Sequence, residues 1–184
     1  MKLPWSNRKK ALLIIDVQPG FLNERNAYVV PRISQLIQNT RYDFYVESIF
    51  HTEKGSIWDT QTNWILPKDQ DFKTVDEVTA LLSEKKSLHI EKETKSAFKG
   101  NVDLTAELRK RGVEEVHLVG VDTNDCVLAT AFEAFDQGFF TYVIEECAES
   151  SSSEKMKDAG LIILRHLKLT NNTCIEKVSF KEIL

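Results

Sequence analysis

Five runs of branched and aromatic residues punctuate the chain. Ala11 to Ile15 is continuously apolar and is closed by Asp16 and then Pro19-Gly20, the pattern of a strand buried on both faces. Similar runs recur at Phe44 to Phe50, Leu88-His89-Ile90, Val116 to Val119 and Phe139 to Ile144, and a shorter sixth strand is predicted near Ile175 to Val178. The intervening segments carry apolar residues at helical spacing: Ile33, Leu36 and Ile37; Val75, Val78, Leu81 and Leu82; Leu104 and Leu108 before the stop signal Gly112; and Val127, Thr130, Ala131, Ala134 and Phe135. Ser151 and Glu154 have capping-box spacing ahead of Met156, Ala159, Ile162 and Ile163, which predicts a last helix.

Strands alternating with helices imply an α/β fold, a three-layer αβα sandwich with a six-stranded, mostly parallel, Rossmann-like sheet. In such sheets ligands bind beyond the carboxyl ends of the strands, where strand order reverses. Asp16 ends the first run, Lys95 follows the third, and Gly120 to Cys126 follows the fourth, so these side chains are expected at one edge. The stretch from His51 to Asp76 lacks clean periodicity and carries Gly55, Pro67, Trp58 and Trp64. Its aromatics predict a partly ordered lid or subunit contact over that edge.

Composition narrows the class. A chain of 184 residues with 42% hydrophobic and 28% charged residues is of single-domain size, and one domain over 1–184 is expected. A net charge of -4 gives no footing for nucleic acid. Three widely spaced cysteines at 126, 147 and 174 argue against a disulfide framework and for a cytoplasmic protein. The apolar run after the basic start is too short for a signal peptide or membrane span, so no membrane partner is expected.

Cys126 sits where a helix should open, and the helix dipole there would lower its pKa toward the thiolate. Backbone N–H groups of the same turn could bind an oxyanion. The competing reading is a small buried core cysteine, and this segment alone does not choose between them. Asp16 could equally cap a turn, and Lys95 could equally be an exposed loop lysine.

Taken together and in order, three stretches resemble the isochorismatase-like cysteine hydrolase superfamily, which includes nicotinamidases, N-carbamoyl amide hydrolases and isochorismatases. They are Asp16-Val17-Gln18 through Phe21, Lys95-Ser96-Ala97-Phe98, and Gly120 through Val127. The resemblance implies a catalytic triad in which Asp16 takes the Cys126 proton, Lys95 holds the carboxylate and steadies the thiolate, and Cys126 forms a thioester. It also implies a cis peptide at Val121-Asp122 that aims the N–H groups of Asp122 and Cys126 at the oxyanion.

Two departures bear on the substrate. Nicotinamidases of the superfamily carry metal-binding Asp-x-His and a further His after the second strand, whereas here the stretch reads Phe50-His51-Thr52-Glu53-Lys54-Gly55-Ser56. No metal and no other cofactor is therefore expected. Asp122 stands where a small apolar residue is more usual; if it faces the pocket it favours a hydrogen-bond donor or cationic group. Gln18, Phe21, His51, Trp58, Trp64 and Asp122 are the candidate substrate contacts. The expected function is a metal-independent hydrolase of a small amide, carbamoyl or related carbonyl substrate, working as a homo-oligomer, dimer or tetramer. The alternatives are a catalytically silent domain used for ligand sensing or oligomer contacts, and a redox thiol partnered by Cys147.

Overall fold

The computed structural model describes residues 7–66 and 72–170. In chain order the elements are β1 (Lys10–Ile15), α1 (Val29–Asn39), β2 (Phe44–Phe50), α2 (Ile57–Thr62), α3 (Asp76–Leu82), β3 (Ser87–Lys92), α4 (Leu104–Lys110), β4 (Glu115–Val121), α5 (Cys126–Asp136), β5 (Phe140–Glu149) and α6 (Glu154–His166). The five strands form one sheet in the order β3-β2-β1-β4-β5, and every pairing is parallel.

The continuous apolar run of β1 follows from its central place. Ala11, Leu13 and Ile15 pack on one face with Leu104 and Leu108 of α4, Val127 and Ala131 of α5, and Leu161 and Leu164 of α6. Leu12 and Ile14 point to the opposite face, against Val29, Ile33 and Leu36 of α1 and Val78 and Leu82 of α3. Each fully buried leucine or isoleucine contributes roughly 1.5–3 kcal/mol, so both layers are anchored through this one strand. Strand order reverses between β1 and β4, which opens a crevice beyond their carboxyl ends. There the two backbones nearly touch: a Cβ on Gly120 would lie 2.1 Å from the Ile15 carbonyl oxygen, at a φ of +118° that disfavours a side chain.

Two expectations change, and one falls outside the described residues. The sheet has five strands among the described residues, and the sixth, near Ile175 to Val178, lies outside them; beyond β5 there is an isolated parallel bridge between Val143 and Thr170. Helix α6 is capped by Ser153, whose hydroxyl accepts from Met156 N, while Ser151 is bonded elsewhere. Its buried face is Gly160, Leu161 and Leu164, and Ile162, Ile163 and Met156 are exposed. Phe135 of α5 is likewise exposed, because the small residues Ala131 and Ala134 bring the helix down onto the sheet along the neighbouring stripe.

Candidate active site

Asp16 directly follows β1 with φ at +51°, a left-handed conformation that Asp tolerates better than most residues. Its N–H donates to the Ser48 carbonyl at 3.0 Å, which ties the end of β1 to β2. The carboxylate is fully buried and engaged on both oxygens: Ser48 Oγ donates to Oδ1 at 2.8 Å and Lys92 Nζ donates to Oδ2 at 2.6 Å, and the Cys126 thiol lies close enough for the two groups to shift each other's pKa. Lys92 Nζ also donates to the Thr94 carbonyl at 2.9 Å and stands 5.1 Å over the Phe50 ring.

The lysine at this site is therefore Lys92 and not the expected Lys95. Lys92 ends β3, where the alternation through Ile90 turns it to the buried side of the sheet. Lys95 lies three residues further on, half exposed, with its ammonium on the Asp125 carboxylate and 4.6 Å over the Trp58 ring. Sequence reading missed Lys92 because it closed the third strand at Ile90. The period-two step from Leu88 and Ile90 to Lys92 was the available signal.

Cys126 opens α5 as expected and is buried beside Asp16 and Lys92. The expected depression of its pKa does not hold. Burial, and then the Asp16 carboxylate, push the thiol well above its ordinary value, with Lys92 opposing. Burial likewise raises Asp16, which Lys92 pulls down again, and Lys92 is raised by Asp16 and Cys126 against the effect of burial. A helix terminus is a weak source of charge beside the loss of water and a neighbouring carboxylate. The protonated thiol is accordingly the favoured resting form beside Asp16.

The sulfur opens into a cavity of about 320 Å³, whose aromatic wall is Phe21, Phe50, Trp58 and Trp64. The Phe21 and Trp64 rings stack at 5.9 Å, and Phe50 meets Trp58 edge-on at 5.1 Å. Trp58 Nε1 donates to the Glu93 carbonyl at 2.7 Å, so the segment after β2 is fastened to the end of β3 and walls the cavity. Phe21, Trp58, Trp64 and Asp122 of the predicted contacts line it; Gln18 and His51 do not. The buried Gln18 side chain bridges both polar groups of the Phe50 backbone, donating to its carbonyl at 2.9 Å and accepting from its N–H at 2.6 Å. His51 pairs with Glu93 at 3.7 Å and packs on Phe72. Phe50 and Asp125 are lining residues that the sequence reading had not nominated as contacts.

The Val121-Asp122 peptide is cis. The Asp122 carbonyl accepts from Asp125 N at 3.0 Å and Val127 N at 3.1 Å, which folds the loop into the start of α5. The Asp122 side chain faces the cavity, but both oxygens are committed to Ser151, one to its N–H and one to its hydroxyl, each at 2.6 Å. Burial raises its pKa, and the two bonds from Ser151 oppose that.

Among the described residues after β2, the metal ligands that the superfamily's nicotinamidases carry have no assembled counterpart. Thr52 and Ser56 there share a hydroxyl–hydroxyl bond of 2.9 Å. Among the described residues no group of three or more His, Cys, Asp or Glu side chains is arranged to hold a metal ion. The other strand histidines are also accounted for: His117 is buried between Tyr42 and Glu115, and His89 lies beside Glu47.

Comparison with known proteins agrees with the fold. The family model described as Isochorismatase domain matches residues 10–175. An uncharacterized isochorismatase family protein, PncA, of Bacillus subtilis (strain 168) is 28% identical over 164 residues, covering 79% of this chain and 89% of that protein. The crystal structure of a pyrazinamidase/nicotinamidase from Streptococcus mutans UA159 superposes with a TM-score of 0.73 at 23% identity, covering 88% of this chain and 98% of that one. A pyrazinamidase of Pyrococcus horikoshii in complex with zinc gives a TM-score of 0.73 at 20% identity, covering 86% and 95%. With most of its length matched by the family model, and a cysteine, an aspartate and a lysine gathered at the switch point of its sheet, this chain belongs to the isochorismatase family of hydrolases.

Proposed function

We propose that the protein is a metal-independent amide hydrolase acting through a Cys126 thioester. The observation that carries the reading is the buried Asp16–Lys92 pair, at 2.6 Å, with the Cys126 thiol beside it at the mouth of an aromatic cavity. Asp16 accepts the thiol proton as sulfur attacks the substrate carbonyl, and Lys92 holds the carboxylate in place and offsets the thiolate charge. The N–H groups of Asp122 and Cys126 receive the oxyanion. Collapse of the tetrahedral intermediate breaks the C–N bond, and Asp16 returns the proton to the leaving nitrogen. Water, deprotonated by Asp16, then cleaves the thioester and restores the thiol.

Amide chemistry is favoured because the retained thiol has no work in cleaving a vinyl ether, and because solved structures sharing the fold include amidases. The zinc in the Pyrococcus horikoshii pyrazinamidase belongs to that protein. Among the described side chains after β2, His51 is paired with Glu93, Asp59 accepts from Gly55 N, and Thr52 and Ser56 bond to each other, so no ligand set is assembled there. The substrate is a small molecule: the cavity is at the lower end of the size range for small-molecule sites. No helix among the described residues is long and apolar enough to cross a membrane.

The test is a screen of small amides and carbamoyl compounds read by mass spectrometry for an acyl adduct on Cys126. Asp16→Asn should slow turnover on the order of 10²–10⁴-fold, the contribution of a positioned base. Cys126→Ala should abolish the adduct. Full activity in either variant, or activity that a chelator removes, defeats the reading.

A further inference from the structure

The cavity carries a charge pattern that thioester chemistry does not require. Among the described residues lining it, the charged side chains are two carboxylates, Asp122 and Asp125. The rest of the wall presents four aromatic rings, whose faces are electron-rich. Asp122 is spent on Ser151. Asp125, the residue before the nucleophile, is instead paired with an ammonium: Lys95 Nζ rests on its carboxylate while standing 4.6 Å over the Trp58 ring.

A cation held between an indole face and a carboxylate is the environment in which proteins recognise ammonium groups. Here the seat is filled by a lysine with half of its side chain in solvent. Its four-carbon stem lets the head swing out, and exposed pairs of this kind add little to stability. A substrate carboxylate entering the same cavity would face two carboxylates and the negative faces of the rings.

We propose that the substrate is a small amide or carbamoyl compound whose far end is cationic, and that this end takes the seat between Trp58 and Asp125 now held by the Lys95 ammonium. The proposal rests on the hydrolase reading for the reacting end and adds the specificity of the remote end. Lys95 is then a specificity-determining residue, competing with the substrate for Asp125, and has no part in the chemistry at sulfur.

The test separates binding from turnover. With Cys126→Ala, calorimetry should show benzyltrimethylammonium binding about thirtyfold tighter than its uncharged isostere neopentylbenzene, the size of one cation–π contact in a desolvated site, and benzoate binding weakest. Adding Lys95→Met should strengthen the cation further, adding Asp125→Asn should weaken the preference, and adding Trp58→Leu to Asp125→Asn should erase it. Equal binding of cation and isostere, or a preference for benzoate, overturns the proposal. Hydrolysis of neutral amides through Cys126 at rates no lower than those of cationic analogues overturns it too, while leaving the hydrolase reading intact. Selective cation binding with no acyl adduct on Cys126 from any amide supports the cation seat and defeats the hydrolase reading.

Discussion

Replacing Lys92 by methionine leaves the Asp16 carboxylate buried with its cation gone, and breaking a buried pair in this way costs about 3–5 kcal/mol. Replacing Lys95 by methionine removes a half-exposed pair worth about 0–1 kcal/mol. Urea unfolding of the two variants should therefore differ by several kcal/mol, with amide turnover lost in the first and retained in the second. Equal stability would contradict the assignment of Lys92. Asp16 and Cys126 were legible in the sequence because each stands at a visible boundary, the end of an apolar run and the start of a helix. Lys92 was not, since a charged residue ordinarily marks a strand's exposed end and only its partner's position, 76 residues away, makes it a buried one. The direction of the thiol shift was hidden for the same reason: helix position is local, whereas burial and the Asp16 charge come from the folded sheet.

Helix α6 meets the loop before Cys126 at Gly160. A Cβ there would lie 2.9 Å from Asn124 Cα and from the Thr123 carbonyl oxygen, two to three residues before the sulfur. Gly160→Ala must push either the helix or the loop, an overpacking that costs about 1–3 kcal/mol. Because the loop carries Asp122 and Cys126, kcat should fall further than the stability loss accounts for; a variant with unchanged kcat and lowered stability would show that the helix had moved instead. This contact was not readable from helical spacing. Spacing identified α6 as a helix but chose Ile162 and Ile163 for its buried face, when a glycine at the close approach sets the face that packs. The central strands were read well because burial on both faces leaves a continuous apolar signature. The segment after β2 was read only as aromatic and irregular, and its role as the cavity wall depends on the bond from Trp58 to Glu93.

Across the whole molecule the buried ionisable groups set how stability and activity respond to pH. Cys147 is pushed up to about 12 by burial, and Cys126 is also raised, so the folded protein keeps thiol protons that the unfolded chain releases at its ordinary thiol pKa. The unfolded chain then binds fewer protons, and stability falls as pH rises above about 8.5. Lys92, raised by Asp16, acts in the same direction: its stabilisation is complete below the ordinary lysine value and is lost as pH climbs through the folded one. The melting temperature should thus decline steadily on the alkaline side, and Cys147→Ala should flatten part of that slope; an unchanged slope would remove Cys147 as a source. On the acid side, burial holds Asp16 above the usual carboxylate range despite Lys92. The acid limb of kcat/KM should accordingly lie above the ordinary aspartate value, and a limb below it would show a base less buried than Asp16.

Two of the three tryptophans, Trp58 and Trp64, stand in the wall of the cavity, and Trp5 lies outside the described residues. Indole emission shifts when water or a charge beside the ring is replaced. The protein thereby carries its own optical gauge of occupancy: a compound that displaces the Lys95 head or fills the space between the rings changes the colour and yield of its fluorescence before any bond is broken.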